Sequence, residues 1–244
     1  MNKPAALITG ASRRLGAAIA HRLHQDGFNI CIHYHRSEQA AEQLADKLNA
    51  SREDSATCLS ADLSDPEAVQ MLAQKVLEYW KGINVLINNA SAFYPRDVGS
   101  VTDNDWQQLM DSNVKGAFFL SQALAPELKK HQGCIVNMVD IHSERPLKHY
   151  PVYSMAKAAL AMMTKSLAKE LAPDIRVNGV SPGAILWPDH EVSEDAKQRI
   201  IEKIPLQTIG EETDIAKTVS FLVNDAPYIT GQIIAVDGGR SLTI

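Results

Sequence analysis

The fold of this chain is decided by a short stretch near its start, AALITGASRRLG, which occupies residues 5–16. The apolar run at residues 5–9 predicts a buried strand, and residues 14–25 follow the repeat of a helix. Gly10 suits the tight turn between the two, and Gly16 lets the helix pack close to the sheet. The free amides at the helix start favour an anionic phosphate. A plain strand–helix turn is the alternative, because a strict G-x-G-x-x-G is missing and Arg14 stands where related loops often have glycine.

Strand and helix keep alternating along the rest of the chain. Further strands are predicted at residues 28–34, 55–61, 85–88, 134–139, 176–180 and 233–236, and helices at residues 38–49, 66–81, 104–131 (in one or two parts), 152–171 and 211–224. The strands are short and apolar without polar alternation, which is typical of a parallel sheet covered on both faces. At 244 residues the chain fits one domain. We therefore predict an α/β fold, a doubly wound parallel sheet with helices on both faces, in a single domain of residues 1–244.

Composition excludes several classes of protein. The net charge of −5 argues against a general nucleic-acid or membrane-surface binder. No apolar run approaches the length of about 18 residues that would indicate a membrane span, and no signal sequence precedes the first strand. Cys31, Cys58 and Cys134 have neither metal nor disulfide spacing. They predict reduced, buried thiols in a cytoplasmic protein without a metal site.

Polar residues follow the second and third predicted strands, at the edge of the sheet where ligands of such folds bind. NAD-preferring proteins usually have an acid after the second strand, but this chain has Arg36 and Ser37. A guanidinium, a hydroxyl and a helix start suit the 2′-phosphate of NADP. The alternative is that Arg36 is simply exposed to solvent at the end of the strand. His33 is interpreted as a packing or surface residue. Asp62 is expected either to cap the next helix or to hydrogen-bond an adenine edge.

Two asparagine positions also indicate a binding site. Asn88-Asn89-Ala90-Ser91 follows the fourth strand, where small and amide residues suit a backbone that passes close to a cofactor. Asn113 falls inside a predicted helix although asparagine is a weak helix former. We expect it to bind a water molecule.

Tyr153 and Lys157 carry the chemistry that we expect of this chain. On a helix their i, i+4 spacing makes them neighbours about 5–6 Å apart. The ammonium is expected to lower the pKa of the phenol, which makes an acid–base group, although the same spacing occurs on many solvated helix faces. Asp140 lies 13 positions before the tyrosine. It is either part of this group or an acid that caps a helix or turn.

Together these motifs identify a known family. The turn at residues 9–16, Asn88-Asn89-Ala90, Asn113, Tyr153-x-x-x-Lys157, Arg176-Val177-Asn178, Pro182-Gly183 and Asp237-Gly238-Gly239 resemble the short-chain dehydrogenases/reductases over the whole chain. The resemblance implies a Rossmann-like domain that transfers a hydride. It implies that Asn113 supports a water relay, that Tyr153 exchanges the proton, and that Lys157 holds the nicotinamide ribose. The fourth catalytic position departs from the family pattern, since Asp140 replaces the usual serine.

The aspartate narrows the resemblance to one subgroup. The strand end at residues 33–37, Arg14, the run at residues 88–95 and Asp140 are similar to the pteridine reductases of trypanosomatid parasites. Bacterial dihydromonapterin reductases share the aspartate, so the pterin stays open. The subgroup implies NADPH, with the cofactor bound by Gly10, Arg13, Arg14, Leu15, Gly16, His35, Arg36, Ser37, Asp62, Leu63, Asn89, Ala90, Ser91, Tyr153, Lys157, Pro182 and Gly183. It implies a pterin bound by Arg14, Ser91, Phe93, Asp140, Tyr153, Leu186 and Trp187.

Asp140 also indicates the direction of reaction. A carboxylate beside the phenol opposes its ionisation, so Tyr153 is expected to stay protonated as the donor in a reduction. Phe93 is either a core aromatic or the ring that stacks on the pterin, and its loop position favours stacking. A carbonyl or 3-oxoacyl reductase is the alternative function, and a protein that holds NADPH without turnover is a third. The resemblance further implies a segment at residues 184–206 that closes over substrate and a tetramer built through residues 104–131, 152–171 and the C-terminal strand region. The tail at residues 240–244 is a candidate to reach a neighbouring active site.

Overall fold

Seven strands and eight α-helices make up the part of the chain that the computed structural model describes, residues 3–187 and 193–244. The strands are β1 (Ala5–Ile8), β2 (Asn29–Tyr34), β3 (Ala56–Ser60), β4 (Val85–Asn88), β5 (Cys134–Met138), β6 (Arg176–Pro182) and β7 (Ile233–Val236). The helices are α1 (Arg14–Gln25), α2 (Glu38–Ser51), α3 (Pro66–Trp80), α4 (Asp103–Met110), α5 (Gly116–Lys130), α6 (Pro151–Leu171), α7 (Glu194–Ile201) and α8 (Glu212–Asn224).

The strands form one parallel sheet in the order β3-β2-β1-β4-β5-β6-β7. The strand order reverses between β1 and β4, where the register pairs Ile8 with Ile87. Crevices beyond the carboxyl ends of strands at such a point are where this architecture binds ligands. The predicted Rossmann-like, doubly wound α/β fold in a single domain is confirmed.

Both faces of the inner strands are buried, which explains their unbroken apolar runs. In β1, Ala6 and Ile8 pack towards α1, α2 and α8. Ala5 and Leu7 point the other way and pack against residues of α3, α5 and α6. Because alternate residues enter two separate cores, both sets are apolar, and polar residues do not alternate with apolar ones along the strand.

The predicted helix at residues 104–131 is divided into α4 and α5 by a π-helical turn at Asp111–Lys115. Residues 184–206 contain α7, which the pattern did not predict, while residues 188–192 of that segment lie outside the described residues. Cys31 and Cys134 are buried, but Cys58 is half-buried, so the prediction of burial was wrong for it; all three are free thiols. No helix in the described ranges has the length and apolarity needed to cross a bilayer.

Candidate active site

The turn after β1 is built so that backbone can approach backbone. Gly10 has a φ of +60°, and a Cβ there would lie 3.0 Å from the Cα of Ala90. A Cβ on Gly16 would lie 2.5 Å from the carbonyl oxygen of Gly10, so α1 packs directly on the turn. Arg14 has a φ of +53°, in the left-handed region that favours glycine. The expected roles of the two glycines in the turn are confirmed, and α1 begins without a side-chain cap from Arg13.

His33 ties this turn to the neighbouring strands. The amide of Gly10 donates to His33 Nδ1 at 3.1 Å. Nε2 therefore carries the proton, and it donates to the carbonyl oxygen of Ala61 at 3.1 Å. Burial lowers the pKa of His33 to about 4, so the ring is neutral at physiological pH. The packing interpretation of His33 is correct, with the addition that it holds the turn in place by hydrogen bonds.

Asn89 and Thr9 close the turn from the side of β4. The amide nitrogen Nδ2 of Asn89 donates to the carbonyl oxygens of Thr9 (2.9 Å) and Gly10 (3.0 Å). The hydroxyl of Thr9 accepts from the backbone amides of Asn89 and Ala90, both at 2.9 Å. The residues after β4 thus pack on the glycine turn, and their predicted close approach to a cofactor stays a prediction.

A cleft of about 720 Å³ opens beside the turn and runs along the carboxyl ends of β1 to β4. Every predicted cofactor residue from Gly10 to Ser91 lines it, while Tyr153, Lys157, Pro182 and Gly183 do not. Seven residues that sequence reasoning missed complete the lining: Ser12, His33, Tyr34, Ser64, Ala92, Gln108 and Ser112. The cleft fits a dinucleotide, since it combines a glycine cradle, an uncapped helix start and the arginines of the turn and of the β2 end.

Asp62 lies at the far wall of the cleft, and its interpretation as a helix cap was wrong. Its Oδ1 accepts from the amide (2.9 Å) and the hydroxyl (2.7 Å) of Ser64, and these bonds hold the pKa of the carboxyl below its usual value. Asp65 caps α3 instead, by accepting from the amide of Glu67 at 2.9 Å. Nε2 of His35 lies 3.6 Å from the other carboxylate oxygen of Asp62.

Asp140, directly beyond β5, serves two partners at once. Its Oδ2 accepts from the hydroxyl of Tyr153 at 2.7 Å, while its Oδ1 accepts from the amide of His142 at 2.8 Å. The second bond caps a short 3-10 helix at Ile141–Ser143. Asp140 therefore caps a turn with one oxygen and is hydrogen-bonded to Tyr153 with the other, while its part in catalysis stays a prediction.

Lys157 lies one turn after Tyr153 on α6, as predicted. Its Nζ is 5.7 Å from the centre of the tyrosine ring and donates to the carbonyl oxygen of Met138 at 2.9 Å. Burial lowers the pKa of the lysine to about 8, and the carboxylate of Asp140 opposes this shift.

The phenol of Tyr153 is held in its protonated form. Burial raises its pKa above the ordinary tyrosine value, and the charge and the hydrogen bond of Asp140 raise it further. The expectation that Lys157 lowers this pKa was wrong, because burial and the nearer carboxylate dominate. The second expectation, that Asp140 keeps the phenol protonated, is in agreement with the structure.

Asn113 sits in the π-helical turn between α4 and α5. Its Nδ2 donates to the carbonyl oxygens of Ala92 (3.0 Å) and Leu109 (2.9 Å). Its Oδ1 is buried and has no hydrogen-bond partner among the described residues. A buried acceptor without a protein donor is where an ordered water is expected, so the site suits the water that the sequence predicts.

Phe93 reaches Tyr153 from the loop after β4. Its ring stacks on Tyr150 (4.5 Å between centroids, 13° between planes) and meets Tyr153 edge-on (4.8 Å, 74°). The residue remains 53% exposed, which excludes the core interpretation. Tyr150 was not predicted, and no local pattern distinguishes it from any other loop tyrosine.

In the segment after β6, Leu186 and Trp187 were expected to bind the substrate. Leu186 is exposed, and Trp187 is half-buried with Nζ of Lys197 5.9 Å from its ring centre. Within residues 3–187 and 193–244, no hydrogen bond or ring contact joins Leu186 or Trp187 to Tyr153. Their part in substrate binding stays a prediction.

The tail of the chain contains one further half-buried charge. Burial lowers the pKa of Arg240, in the turn after β7, and the negative charges of Asp140 and Asp237 oppose this shift. The expectation that the tail at residues 240–244 reaches a neighbouring active site stays a prediction.

Comparison with known proteins agrees with this site. A family model described as enoyl-(acyl carrier protein) reductase matches residues 10–241, and the chain belongs to the short-chain dehydrogenase/reductase family. It is therefore an oxidoreductase with a nicotinamide cofactor. The chain is 39% identical to pteridine reductase 1 of Leishmania tarentolae, covering 98% of this chain and 97% of the relative. It is 36% identical to 3-oxoacyl-(acyl-carrier-protein) reductase of Staphylococcus epidermidis (98% and 99%) and 30% identical to glucose 1-dehydrogenase 2 of Bacillus subtilis (97% and 94%).

Proposed function

We propose that this protein is an NADPH-dependent pteridine reductase that converts a dihydropterin to the tetrahydropterin, with fully oxidised pterin or dihydrofolate as further substrates. The observation that carries the proposal is the 2.7 Å hydrogen bond from the hydroxyl of Tyr153 to the carboxylate of Asp140. It makes the tyrosine a proton donor and not a base, which suits reduction. Similarity to pteridine reductase 1 supports the same substrate class.

The aromatic residues support a flat substrate. Phe93 is half exposed beside Tyr153, and Tyr150 backs one face of its ring. A pterin ring that lies along Phe93 brings its ring nitrogen within reach of the tyrosine hydroxyl, which delivers the proton. NADPH, when bound, supplies the hydride. Arg14 and Ser91 line the cleft, and we assign them contacts to both cofactor phosphate and pterin.

A substrate panel tests this function. Purified protein is mixed with NADPH and with dihydrobiopterin, dihydromonapterin, dihydrofolate, folate or a generic ketone, and cofactor absorbance is followed. We expect the highest kcat/KM with a dihydropterin. A preference for the ketone or for a 3-oxoacyl thioester would contradict the proposal and favour the alternative, a carbonyl or 3-oxoacyl reductase, to which similarity to the Staphylococcus enzyme points. Binding of NADPH without turnover of any substrate would indicate a binding protein that is not a reductase.

The preference for NADPH over NADH rests on the β2 end, where Arg36 is exposed at the cleft and Ser37 precedes α2. We expect Arg36→Ala to raise KM for NADPH about tenfold or more, since a charge-assisted phosphate contact contributes roughly 1.5–3 kcal/mol. KM for NADH should hardly change. Lys75→Ala, which removes the same charge from the exposed surface of α3, is the control. Equal effects of Arg36→Ala on both cofactors would rule out a contact with the 2′-phosphate.

We also propose that the protein is a cytoplasmic homotetramer. Phe118 of α5 and Met155 and Met162 of α6 are exposed apolar side chains. A groove of about 400 Å³ between these helices, lined by Met110, Val114, Lys115, Phe118, Ala159, Met163, Ser166 and Leu167, adds to this apolar surface. A second copy of the chain would bury it. We further propose that residues 184–206 close over the bound substrate.

A further inference from the structure

Two loops meet beside Tyr153, and each contributes an aromatic ring. Phe93 comes from the loop after β4, and Tyr150 comes from the loop that leads into α6. Tyr150 immediately precedes the helix, which fixes its backbone. The backbone of Phe93 makes no hydrogen bond with the rest of residues 3–187 and 193–244. Its half-exposed ring therefore depends on neighbouring residues of the loop for its position.

Three residues join the two loops directly. The amide of Arg96 donates to the carbonyl oxygen of His149 at 2.7 Å. The Nδ1 of His149 donates to Oδ1 of Asp97 at 2.5 Å. We call Arg96, Asp97 and His149 the loop clamp. Because His149 directly precedes Tyr150, the loop clamp lies next to one ring of the stacked pair and three residues beyond the other, Phe93.

His149 has an unusual backbone for its residue type. Its φ is +70°, in the left-handed region that favours glycine. In this conformation its carbonyl oxygen and its ring both bond to the consecutive residues Arg96 and Asp97. A glycine would adopt the same φ more easily, but it could not make the side-chain bond. The bond to Asp97 thus compensates a backbone cost that glycine would avoid.

The rest of the loop after β4 is anchored at both ends. Before Phe93, the carbonyl oxygen of Ala92 accepts from Nδ2 of Asn113 at 3.0 Å. Beyond it, Nε of Arg96 donates to Asp105 at 2.8 Å, and Asp105 forms the capping box at the start of α4. These bonds fix the loop to α4 and to the π-helical turn. The loop clamp supplies the missing connection, the one to the segment that carries Tyr150.

We infer that His149 and Asp97 are positioning residues for the substrate: they hold Phe93 on Tyr150 so that its open face lies ready beside Tyr153. The inference rests on the proposed function, in which a flat substrate lies along Phe93. Both positioning side chains are more than half exposed, and the hydroxyl of Tyr153 bonds to neither of them. Their effect on the reaction is therefore indirect and acts through the aromatic ring.

This role predicts a change in KM and not in kcat. Without the loop clamp, Phe93 leaves the stacked position in part of the molecules. Substrate then binds only the remaining fraction, and KM rises by the inverse of that fraction. Once substrate is bound, the hydrogen bond between Tyr153 and Asp140 is the same as before, so the chemical step keeps its rate.

The first test compares Asp97→Ala and Asp97→Asn with the wild-type enzyme. For Asp97→Ala we expect KM for the substrate to rise about fivefold, equivalent to roughly 1 kcal/mol and to the net contribution of one hydrogen bond. The kcat should stay within about twofold, since only binding is weakened. Asp97→Asn keeps an oxygen that accepts from Nδ1 of His149 and should restore most of the wild-type KM. Affinity for NADPH, measured by fluorescence, should be unchanged in both variants.

A matched control removes a similar contact elsewhere. Asp174 pairs with Lys129 at 2.6 Å on the exposed surface between α5 and the end of α6. Asp174→Ala should leave KM unchanged. A rise in KM equal to that of Asp97→Ala would show a general effect of losing a surface carboxylate and would overturn the inference.

A second pair of variants separates the side-chain bond from the backbone conformation. Glycine and asparagine both accept a positive φ, but only asparagine has an amide that can donate to Asp97. We expect His149→Gly to raise KM like Asp97→Ala and His149→Asn to raise it less. The double variant Asp97→Ala/His149→Gly should be no worse than either single one, because both remove the same bond. Additive increases in KM would contradict a shared role.

Hydrogen exchange gives a readout that needs no substrate. The amide of Arg96 is bonded to His149 in the free protein, so its exchange rate reports how often the loop clamp opens. We expect exchange of this amide at least about threefold faster in Asp97→Ala, and close to wild type in Asp97→Asn. Unchanged exchange in Asp97→Ala would overturn the inference, as would a loss of kcat or of NADPH affinity as large as the change in KM.

Failure of the proposed function is recognised separately. The kinetics use the substrate of the panel that the wild-type enzyme reduces with the highest kcat/KM. If that substrate is a ketone, the pterin proposal fails, and the inference stands or falls on whether Asp97→Ala raises KM for the ketone. If a pterin is reduced and its KM is the same in Asp97→Ala and the wild type, only the inference about the loop clamp fails.

Discussion

Asp140 shows what a carboxylate can do that a serine cannot. One of its oxygens caps the turn at Ile141–Ser143 and the other accepts from Tyr153. A serine at this position has one oxygen, and that oxygen is neutral, so it raises the pKa of the phenol much less. The difference between the two residues at this position is therefore a difference in the charge next to the proton donor.

We expect Asp140→Ser to lower kcat for pterin reduction by about a hundredfold, the lower end of what a positioned proton donor contributes. Affinity for NADPH should change little. Asp65→Ser is a matched control, because Asp65 also accepts from a backbone amide at a helix start and serine caps as well. Steady-state kinetics measure kcat, and cofactor fluorescence measures the affinity for NADPH. Equal losses in catalysis and cofactor affinity would contradict a role in proton donation.

Lys157 predicts a pH dependence of stability. Its pKa in the folded protein is lowered to about 8, against 10.5 in the unfolded chain. Between these values the unfolded chain binds more protons, so stability rises with pH and the lysine's destabilising effect disappears. The free energy of unfolding of the wild type, minus that of Lys157→Met, should increase from about pH 8 to pH 10. Urea denaturation at several pH values measures this difference. A difference that is independent of pH would show that the lysine is not desolvated.

At the scale of elements, the glycine turn depends on neighbours that are distant in sequence. His33 bonds the amide of Gly10 and the carbonyl of Ala61, so the ends of β1, β2 and β3 move together. Because the ring is neutral above a pKa of about 4, this tie persists over the working pH range.

His33→Leu should lower the free energy of unfolding by about 1–3 kcal/mol, since it leaves a buried amide and a buried carbonyl without partners. We also expect KM for the cofactor to rise, because the turn loses its fixed position. His21→Leu, on the half-buried side of α1, is the control. Thermal melting and kinetics measure the two effects. Unchanged KM in a destabilised His33→Leu would mean that the turn holds its shape without the histidine.

Strands and most helices could be predicted because each carries an apolar pattern that local sequence reveals. Helix α7 was missed because none of its residues is buried, so it has no apolar face to detect. The π-helical turn could not be predicted, because the hydrogen bond of its Asn113 to Ala92 joins residues that are distant in sequence. Most of the residues that line the cleft between Gly10 and Ser91 could be predicted, because they follow strands whose order follows from the fold, but Ser12, His33, Tyr34 and Ser64 were missed. Tyr150 could not be predicted from a local pattern, and knowledge of burial and distance was needed to decide whether Asp140 or Lys157 dominates the pKa of Tyr153.

At the scale of the whole molecule, the outer face of α5 and α6 predicts assembly. We expect light scattering after gel filtration to give the mass of a tetramer for the wild type. Phe118→Asp combined with Met162→Asp should give smaller species, because both side chains are exposed and apolar on this face. Met71→Asp changes an equally exposed methionine on α3 and should leave the mass unchanged. A monomeric wild type would refute the assembly.

The π-helical turn at Asp111–Lys115 has a consequence for the phase of the helices around it. A π turn holds one residue more than an α turn, and each residue of an α-helix adds a rotation of about 100°. The extra residue sets the angle between the faces of α4 and α5, so that Leu109 of α4 and Ala117 of α5 are both buried. Shortening the turn by one residue would rotate one of these helices out of its core. In an alignment, a single-residue gap here therefore marks a change of helix phase and not a trimmed loop.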